Sequence, residues 1–243
     1  MENTSTSDAD PAPDAQHSSS GDKRPEIRHK HSMFAPVVLA EIRALGIDRP
    51  SILEAGCETG WFAQHLADGG SYLGLGLPAE DFRAAQEKCR NATFVAADVL
   101  DWDEEGRKFD VVLSVEQLAM CPDHARLIAR LASLVKPGGY AVITTENPFV
   151  YNRMPWFNKP LAPGQIRNRI EKGRLHALME GNGLRIKKSF TAFPDGTDGF
   201  LWFLNAAGIN RIVHKVIPEP IYRGVKESVG LGQFRVVVAS RPH

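Results

Sequence analysis

The stretch Ile52-Leu-Glu-Ala-Gly-Cys-Glu-Thr-Gly60 decides how this chain is read. Its first half is a short apolar strand, and Trp61 to Ala67 has helical spacing. Gly56-x-x-x-Gly60 is therefore the bend of a strand–turn–helix unit. Glycines there let the backbone turn sharply and approach a ligand closely. The bend lacks the Gly-x-Gly-x-x-Gly spacing that presents bare N–H groups to a pyrophosphate. It carries Glu54 and Glu58 instead, and each carboxylate would repel a pyrophosphate by roughly 1 kcal/mol or more. A ligand with positive charge and hydroxyl groups suits it better. Taken alone, the two glycines fit a purely structural turn equally well.

Outward from this unit, short apolar runs alternate with helical patterns. Met33–Leu45 precedes it as a helix. Tyr72–Leu75 is a second strand, Ala79–Arg90 a helix, and Thr93–Ala96 a third strand ending at Asp98. Phe109–Ser114 is a continuous apolar strand of the kind buried on both faces. Pro122-Asp123 opens a helix over residues 124–135. Lys136-Pro-Gly-Gly139 stops it, with glycines free to turn left-handed, and Tyr140–Thr145 is a fifth strand. The last third contributes a helix over Ile170–Glu180 closed by Gly181-Asn-Gly183, and strands over Leu184–Phe193 and Gln233–Ser240. Between those strands lies an aromatic and aliphatic stretch, Phe200–Ile217, read as the core of a helical insertion at about 197–222. The pattern predicts an α/β, doubly wound, mostly parallel seven-stranded sheet with an antiparallel C-terminal strand pair. Such a sheet binds ligands at its carboxyl edge.

The chain has 243 residues, 43% hydrophobic and 24% charged, with 29 basic and 29 acidic residues and a formal net charge of zero. That balance argues against a dedicated nucleic-acid binder. No apolar run approaches the ~20 residues of a membrane span, and Met1–Gly21 lacks a signal pattern. Residues 1–25 are too polar to fold and are expected to be a disordered tail, leaving 26–243 as one domain. The cysteines Cys57, Cys89 and Cys121 suggest neither a disulfide framework nor a metal site. A reducing, cytoplasmic location follows by default.

S-adenosylmethionine, with a sulfonium, an ammonium and a ribose, meets the demands of the acidic bend. Glu54, Gly56 and Gly60 resemble motif I of class I S-adenosylmethionine-dependent methyltransferases, with Glu58 in place of the middle glycine. Phe94-Val-Ala-Ala-Asp98, Phe109 to Glu116, and Leu134-Val-Lys-Pro-Gly-Gly-Tyr-Ala-Val-Ile143 are similar to later segments of that family, in its order and spacing from about residue 51 to 147. The nearest subgroup is the small-molecule O-methyltransferases of ubiquinone and menaquinone type. The resemblance implies a Rossmann-like fold and a cofactor held by Glu54, Gly56, Cys57, Glu58, Gly60, Gly76, Leu77, Asp98, Val99, Ser114 and Val115. Asp98 would meet the adenine amine. The acceptor would be a small, partly apolar molecule methylated at oxygen. No oligomeric state follows.

Two positions depart from the family. Gly76 stands where an acid usually binds the ribose hydroxyls, removing a contact on the order of 1.5–3 kcal/mol; Glu58, Glu80 and Asp81 are the available substitutes. Ala119-Met120 stands where Glu-His is frequent. Methyl transfer to oxygen needs a proton acceptor unless the substrate arrives ionised. His29, His31, His124, His176 and His214 are the histidines in context, and none is assigned as the base. Asp98 also reads as a turn former, Glu116 as a surface carboxylate, Cys57 as a small buried residue and Asp110 as structural. Phe149, Tyr151 and Trp202 are candidate pocket walls. A catalytically degenerate binding or scaffold protein, and a nucleotide-dependent oxidoreductase disfavoured by the bend, remain the competing readings.

Overall fold

Strands that are apolar at successive positions need cover on both faces, and this requirement organises the molecule. The computed structural model describes residues 35–57, 60–76, 79–153, 161–194 and 218–243. The expected tail, most of the helical insertion, Glu58, Leu77, Trp202, His29, His31 and His214 lie outside them. Five strands run parallel: β1 (Ser51–Ala55), β2 (Ser71–Gly76), β3 (Ala92–Ala96), β4 (Phe109–Val115) and β5 (Val135–Glu146). The last two strands are β6 (Arg185–Ala192) and β7 (Phe234–Ser240). β7 pairs antiparallel with both β5 and β6. The sheet order is β3-β2-β1-β4-β5-β7-β6, so the mixed seven-stranded expectation holds.

Side-chain alternation divides the core into two halves. Ile52, Val111, Leu113 and Val142 point to one face, where α1 (residues 35–44) lays Val38, Leu39 and Ile42. Leu53, Val112, Ile143 and Val237 point to the other. There α4 (His124–Leu134) brings Leu127, Ile128 and Leu131, and α6 (Lys172–Gly181) brings Leu175 and Met179. At about 1.5–3 kcal/mol for each buried aliphatic side chain, these two interfaces dominate the stability of the fold. The remaining helices are α2 (Ala63–Leu66), α3 (Ala79–Lys88), α5 (Pro148–Tyr151) and α7 (Glu219–Ser228). Among the described residues, no helix is long and apolar enough to cross a membrane.

Two elements differ from expectation. The helix expected over Trp61–Ala67 is only α2, followed by a 3-10 turn at Ala67–Gly69. The chain must then pass tightly under Pro50: Ser71 N–H bonds to the Pro50 carbonyl at 3.1 Å. Any side chain at Gly70 would strike that carbonyl. Lys136-Pro-Gly-Gly139, expected as a helix stop, belongs to β5. Gly138 does take a left-handed φ of 79°. Its N–H nevertheless bonds to the Arg241 carbonyl at 2.8 Å, while Arg241 N–H bonds to the Gly139 carbonyl at 2.8 Å. The segment is thus an irregular stretch of strand, and the β4–β5 register shifts there, between Phe109 and Val111.

The parallel strands all end at one edge. The order reverses between β1 and β4, and such a switch point is where sheets of this type open a ligand crevice. The opposite edge is fastened by Asp110, which accepts hydrogen bonds from Ser51 N (2.8 Å), Ser51 Oγ (2.6 Å) and Lys136 Nζ (2.9 Å). Burial works against ionisation of Asp110, but the hydrogen bonds from Ser51 and Lys136 outweigh it and hold the carboxyl below its usual range. The stabilisation is therefore full above the unfolded value of about 3.9 and is lost as pH falls through the folded value. Asp110→Asn is expected to lower stability at neutral pH by about 1 kcal/mol after discounting for screening. The gap to wild type should close on acidification below about pH 4. Denaturant titrations across that range check this, and a gap that stays constant would refute it.

Candidate functional site

The bend after β1 is tied to the neighbouring strand. The N–H groups of Gly56 (2.7 Å) and Cys57 (2.8 Å) both donate to the Leu75 carbonyl, and Gly60 N–H donates to the Cys57 carbonyl at 2.7 Å. Gly56 and Gly60 have φ of 78° and 65°, where other residues are strained. A Cβ at Gly56 would overlap the side chain of Gln117, and one at Gly60 would stand 2.8 Å from Ala85 and the Phe94 ring. Cys57 is buried beneath the bend, and its sulfur fills the space a side chain at Gly74 would need.

Glu54 lies at the end of β1 with 2% of its surface exposed, and its carboxylate accepts a hydrogen bond from the Tyr72 hydroxyl. Burial, then the Glu54 charge, pushes the Tyr72 phenol well above its usual range. Tyr72 therefore stays protonated at neutral pH and is the donor to the Glu54 carboxyl group. At the end of β2, Gly76 pairs with Ala96 and offers no side chain.

Asp98 is exposed at the start of the loop after β3. Its Oδ1 accepts from Leu100 N (2.8 Å), which is the turn-forming role, while Oδ2 has no hydrogen-bond partner among the described residues. Val99 is buried, and its carbonyl accepts from Arg130 Nε at 2.9 Å, anchoring the loop to α4.

At the end of β4, Ser114 is fully buried and its Oγ has no hydrogen-bond partner among the described residues; Val115 is buried beside it. Glu116 then adopts a left-handed φ of 60°. The conformation costs on the order of 1–3 kcal/mol in a non-glycine residue and marks functional segments. Thr144 supports it: the Glu116 N–H donates to the Thr144 carbonyl (3.2 Å) and Oγ1 (3.1 Å), and Thr144 Oγ1 donates to Glu116 Oε1 at 3.1 Å. The reversal starts the 3-10 turn Gln117–Met120 and brings Gln117 over Gly56.

The end of β5 adds residues that pattern reading missed. Arg169 Nε meets Glu146 Oε2 at 2.5 Å in a nearly buried ion pair, and Arg169 Nη1 donates to Asn152 Oδ1 at 3.0 Å. The Arg169 guanidinium lies 5.1 Å from the Tyr151 ring centroid. Tyr151 is buried against Phe234, ring centroids 5.6 Å apart. Its phenol is raised far above the usual range by burial and then by the charges of Glu146 and Glu116. Phe149 is exposed at the edge, with the Arg153 guanidinium 4.0 Å from its ring centroid. Arg169 comes from an irregular segment, where no periodicity signals a role. His124 is a core residue: Nε2 lies 3.0 Å from the Leu118 carbonyl and 2.9 Å from the Asn168 carbonyl, so it carries the proton. Among the described residues no three His, Cys, Asp or Glu side chains are grouped to hold a metal ion.

Residues 27–189 match a family model described as a methyltransferase domain. The chain is similar to the chloroplastic tocopherol O-methyltransferase of Arabidopsis thaliana, 31% identical over 165 residues, covering 64% of this chain and 44% of that protein. It is also similar to the ubiquinone biosynthesis O-methyltransferase of Serratia proteamaculans (strain 568), 32% identical over 137 residues, covering 54% of this chain and 56% of that protein. The chain thus spans about half the length of these curated relatives. Its fold matches an S-adenosylmethionine dependent methyltransferase from Mesorhizobium loti with TM-score 0.61 at 20% identity, over 86% of this chain and 98% of that one.

The Tyr72–Glu54 bond sits under the whole bend. Tyr72→Phe removes a donor from a buried carboxylate and is expected to cost about 1–3 kcal/mol. That corresponds to a Tm lowered by several degrees in thermal unfolding at pH 7. A Tm equal to that of the wild type would show that the bond stabilises nothing.

Proposed function

The chain belongs to the methyltransferase-domain family, and on that footing we propose that it transfers a methyl group from S-adenosylmethionine to an oxygen of a small, partly apolar acceptor. The observation that carries this reading is the bend after β1. Among its described residues, the N–H groups of Gly56, Cys57 and Gly60 are spent on the Leu75 and Cys57 carbonyls and offer nothing to a phosphate, while a buried carboxylate stands at its base. A dinucleotide needs the opposite arrangement. O-methyltransferase relatives support oxygen as the target atom. The zero net charge supports an acceptor other than nucleic acid, and the three scattered cysteines support a reducing, cytoplasmic location.

The residues at the edge fit this cofactor. Gly56 and Gly60 add no side chains of their own to the bend, where Gln117 lies over Gly56, and Ser114 Oγ is a buried hydroxyl without a hydrogen-bond partner among the described residues. Bound there, S-adenosylmethionine supplies an electrophilic methyl on a sulfonium. Glu54, with Glu58 beside it in sequence, favours the positive end of the ligand. Gly56, Cys57 and Gly60 give close backbone approach, and Gly76 with Leu77 borders the ribose. Asp98 Oδ2 is available to an adenine amine, with Val99, Ser114 and Val115 as the wall. The chain contributes mainly alignment, worth up to about 7–11 kcal/mol. Tyr151 stays protonated, so its phenol is not the base at neutral pH.

A second reading, a catalytically inactive binding protein on the same fold, is favoured by Gln117 lying over Gly56 and by the missing carboxylate at Gly76. Calorimetry with S-adenosylmethionine and S-adenosylhomocysteine tests the first reading, and no heat from either at millimolar concentration would end it. Gly76→Asp is expected to tighten binding by about tenfold or more. An unchanged or weaker affinity would remove the ribose account. Methyl transfer in an acceptor panel would eliminate the second reading.

A further inference from the structure

The antiparallel end of the sheet holds a second cleft, of about 300 Å³, at the same edge. β6, β7, the start of α6 and the end of α7 enclose it. Arg235, the second residue of β7, lines it and is only 9% exposed. Its guanidinium makes no hydrogen bond or ion pair among the described residues, and Nε is fully buried without a partner. A charge buried in this way demands compensation, because desolvation costs several kcal/mol per ion. Glu171 acts on it through its charge but makes no ion pair with it, and Thr191, Asn147 and Ser189 are already engaged. Thr191 Oγ1 donates to the Glu227 carbonyl (2.8 Å) and accepts from Gly232 N (3.1 Å). Asn147 Nδ2 donates to the Gly230 (2.9 Å) and Gly232 (2.7 Å) carbonyls, and Ser189 Oγ is 2.9 Å from His176 Nε2. Thr145, the β5 residue paired with Arg235, has a second orphaned buried oxygen.

An independent feature points the same way. The ten-residue helix α6 begins at this cleft, and its N-cap Glu171 provides no side-chain cap, so the first N–H groups lack that partner. Lys172 stands on the rim. The surroundings are cationic enough that, after burial, Lys172 and Arg235 depress the His176 imidazole below its usual range.

We propose that this cleft binds a small molecule through a carboxylate held by the Arg235 guanidinium at the start of α6. The planar fork of arginine matches a carboxylate in bidentate fashion. Glu171 and Glu227 also line the cleft, and their charges penalise a phosphate dianion more than a monoanion. Phe149, Phe190 and Val229 supply apolar walls, so the carboxylate sits on an apolar body. This site is separate from the cofactor bend and stands without the methyl-transfer reading.

The test is calorimetric titration of the full chain with benzoate, benzyl alcohol and inorganic phosphate. Benzoate should bind saturably, and the alcohol and phosphate at least about tenfold more weakly. Arg235→Gln should weaken benzoate by at least about tenfold, Arg235→Lys should be intermediate, and Glu171→Gln should tighten it. No saturable benzoate binding up to about 20 mM, equal binding by Arg235→Gln, or preference for phosphate would overturn the proposal. Glu171→Gln keeps it falsifiable if Arg235→Gln does not fold. S-adenosylhomocysteine binding should be the same in Arg235→Gln as in wild type. Its absence from both, with benzoate binding retained, faults the cofactor reading alone. Benzoate affinity that rises with S-adenosylhomocysteine present marks the site as the acceptor's, and unchanged affinity marks a separate effector; both support it.

Discussion

The carbonyl of Leu75 receives two N–H groups, from Gly56 and Cys57, and the chemistry of the edge depends on that pairing. Because both donors are spent within the protein, Gly56 and Cys57 offer a ligand shape and the nearby Glu54 carboxyl group, not free amides. The left-handed φ values of Gly56 and Gly60 allow this without strain. The same pairing brings the end of β2 against the bend, with Gly76 one residue beyond Leu75. The arrangement needs small residues in depth: Gly74 leaves room for the Cys57 sulfur, and Gly60 leaves room for Phe94.

The strained Glu116 extends this constraint to the adjacent strand. A carboxylate residue held at φ 60° needs support, and Thr144 on β5 gives it through both its carbonyl and its hydroxyl. The consequence is spatial. A chain that left β4 in an extended conformation would run past the crevice, whereas the reversal at Glu116 turns Gln117 over Gly56. Gln117 therefore occupies space beside the bend, and it is the side chain that ligand binding would have to move or use. The edge is thus closed by a flexible amide instead of by backbone.

The central architecture was legible in the sequence because it rests on local signals. Strands buried on both faces show as unbroken apolar runs, as in Phe109–Ser114, and Asp123 marks the start of α4 by capping Arg126 N–H. The bend was readable from Gly56 and Gly60. What escaped was set by distant contacts. Lys136-Pro-Gly-Gly139 carries every mark of a helix stop, yet backbone bonds to Arg241, a hundred residues on, make it strand. Arg169 joins Glu146 from an irregular segment with no period to announce it. Gln233–Ser240 reads as strand because of its valines, and nothing in that run shows that Arg235 would be buried with its Nε unbonded among the described residues.

Antiparallel insertion of β7 between β5 and β6 accounts for the last of these. In the parallel half, each strand brings its carboxyl end to the edge. β7 enters from the other direction, so its first residues, Phe234 and Arg235, stand at that same edge. Alternation then sends Phe234 to the face carrying Tyr151, and Arg235 to the face carrying Val237 and α6. A cation is thereby delivered to the amino end of a helix, a combination that repels other cations and favours anions. The two halves of one edge consequently differ in electrostatic character. Around β1 a buried carboxylate dominates, and around β7 a buried guanidinium does. A molecule spanning both would be sorted by charge, its positive end at the first and its negative end at the second.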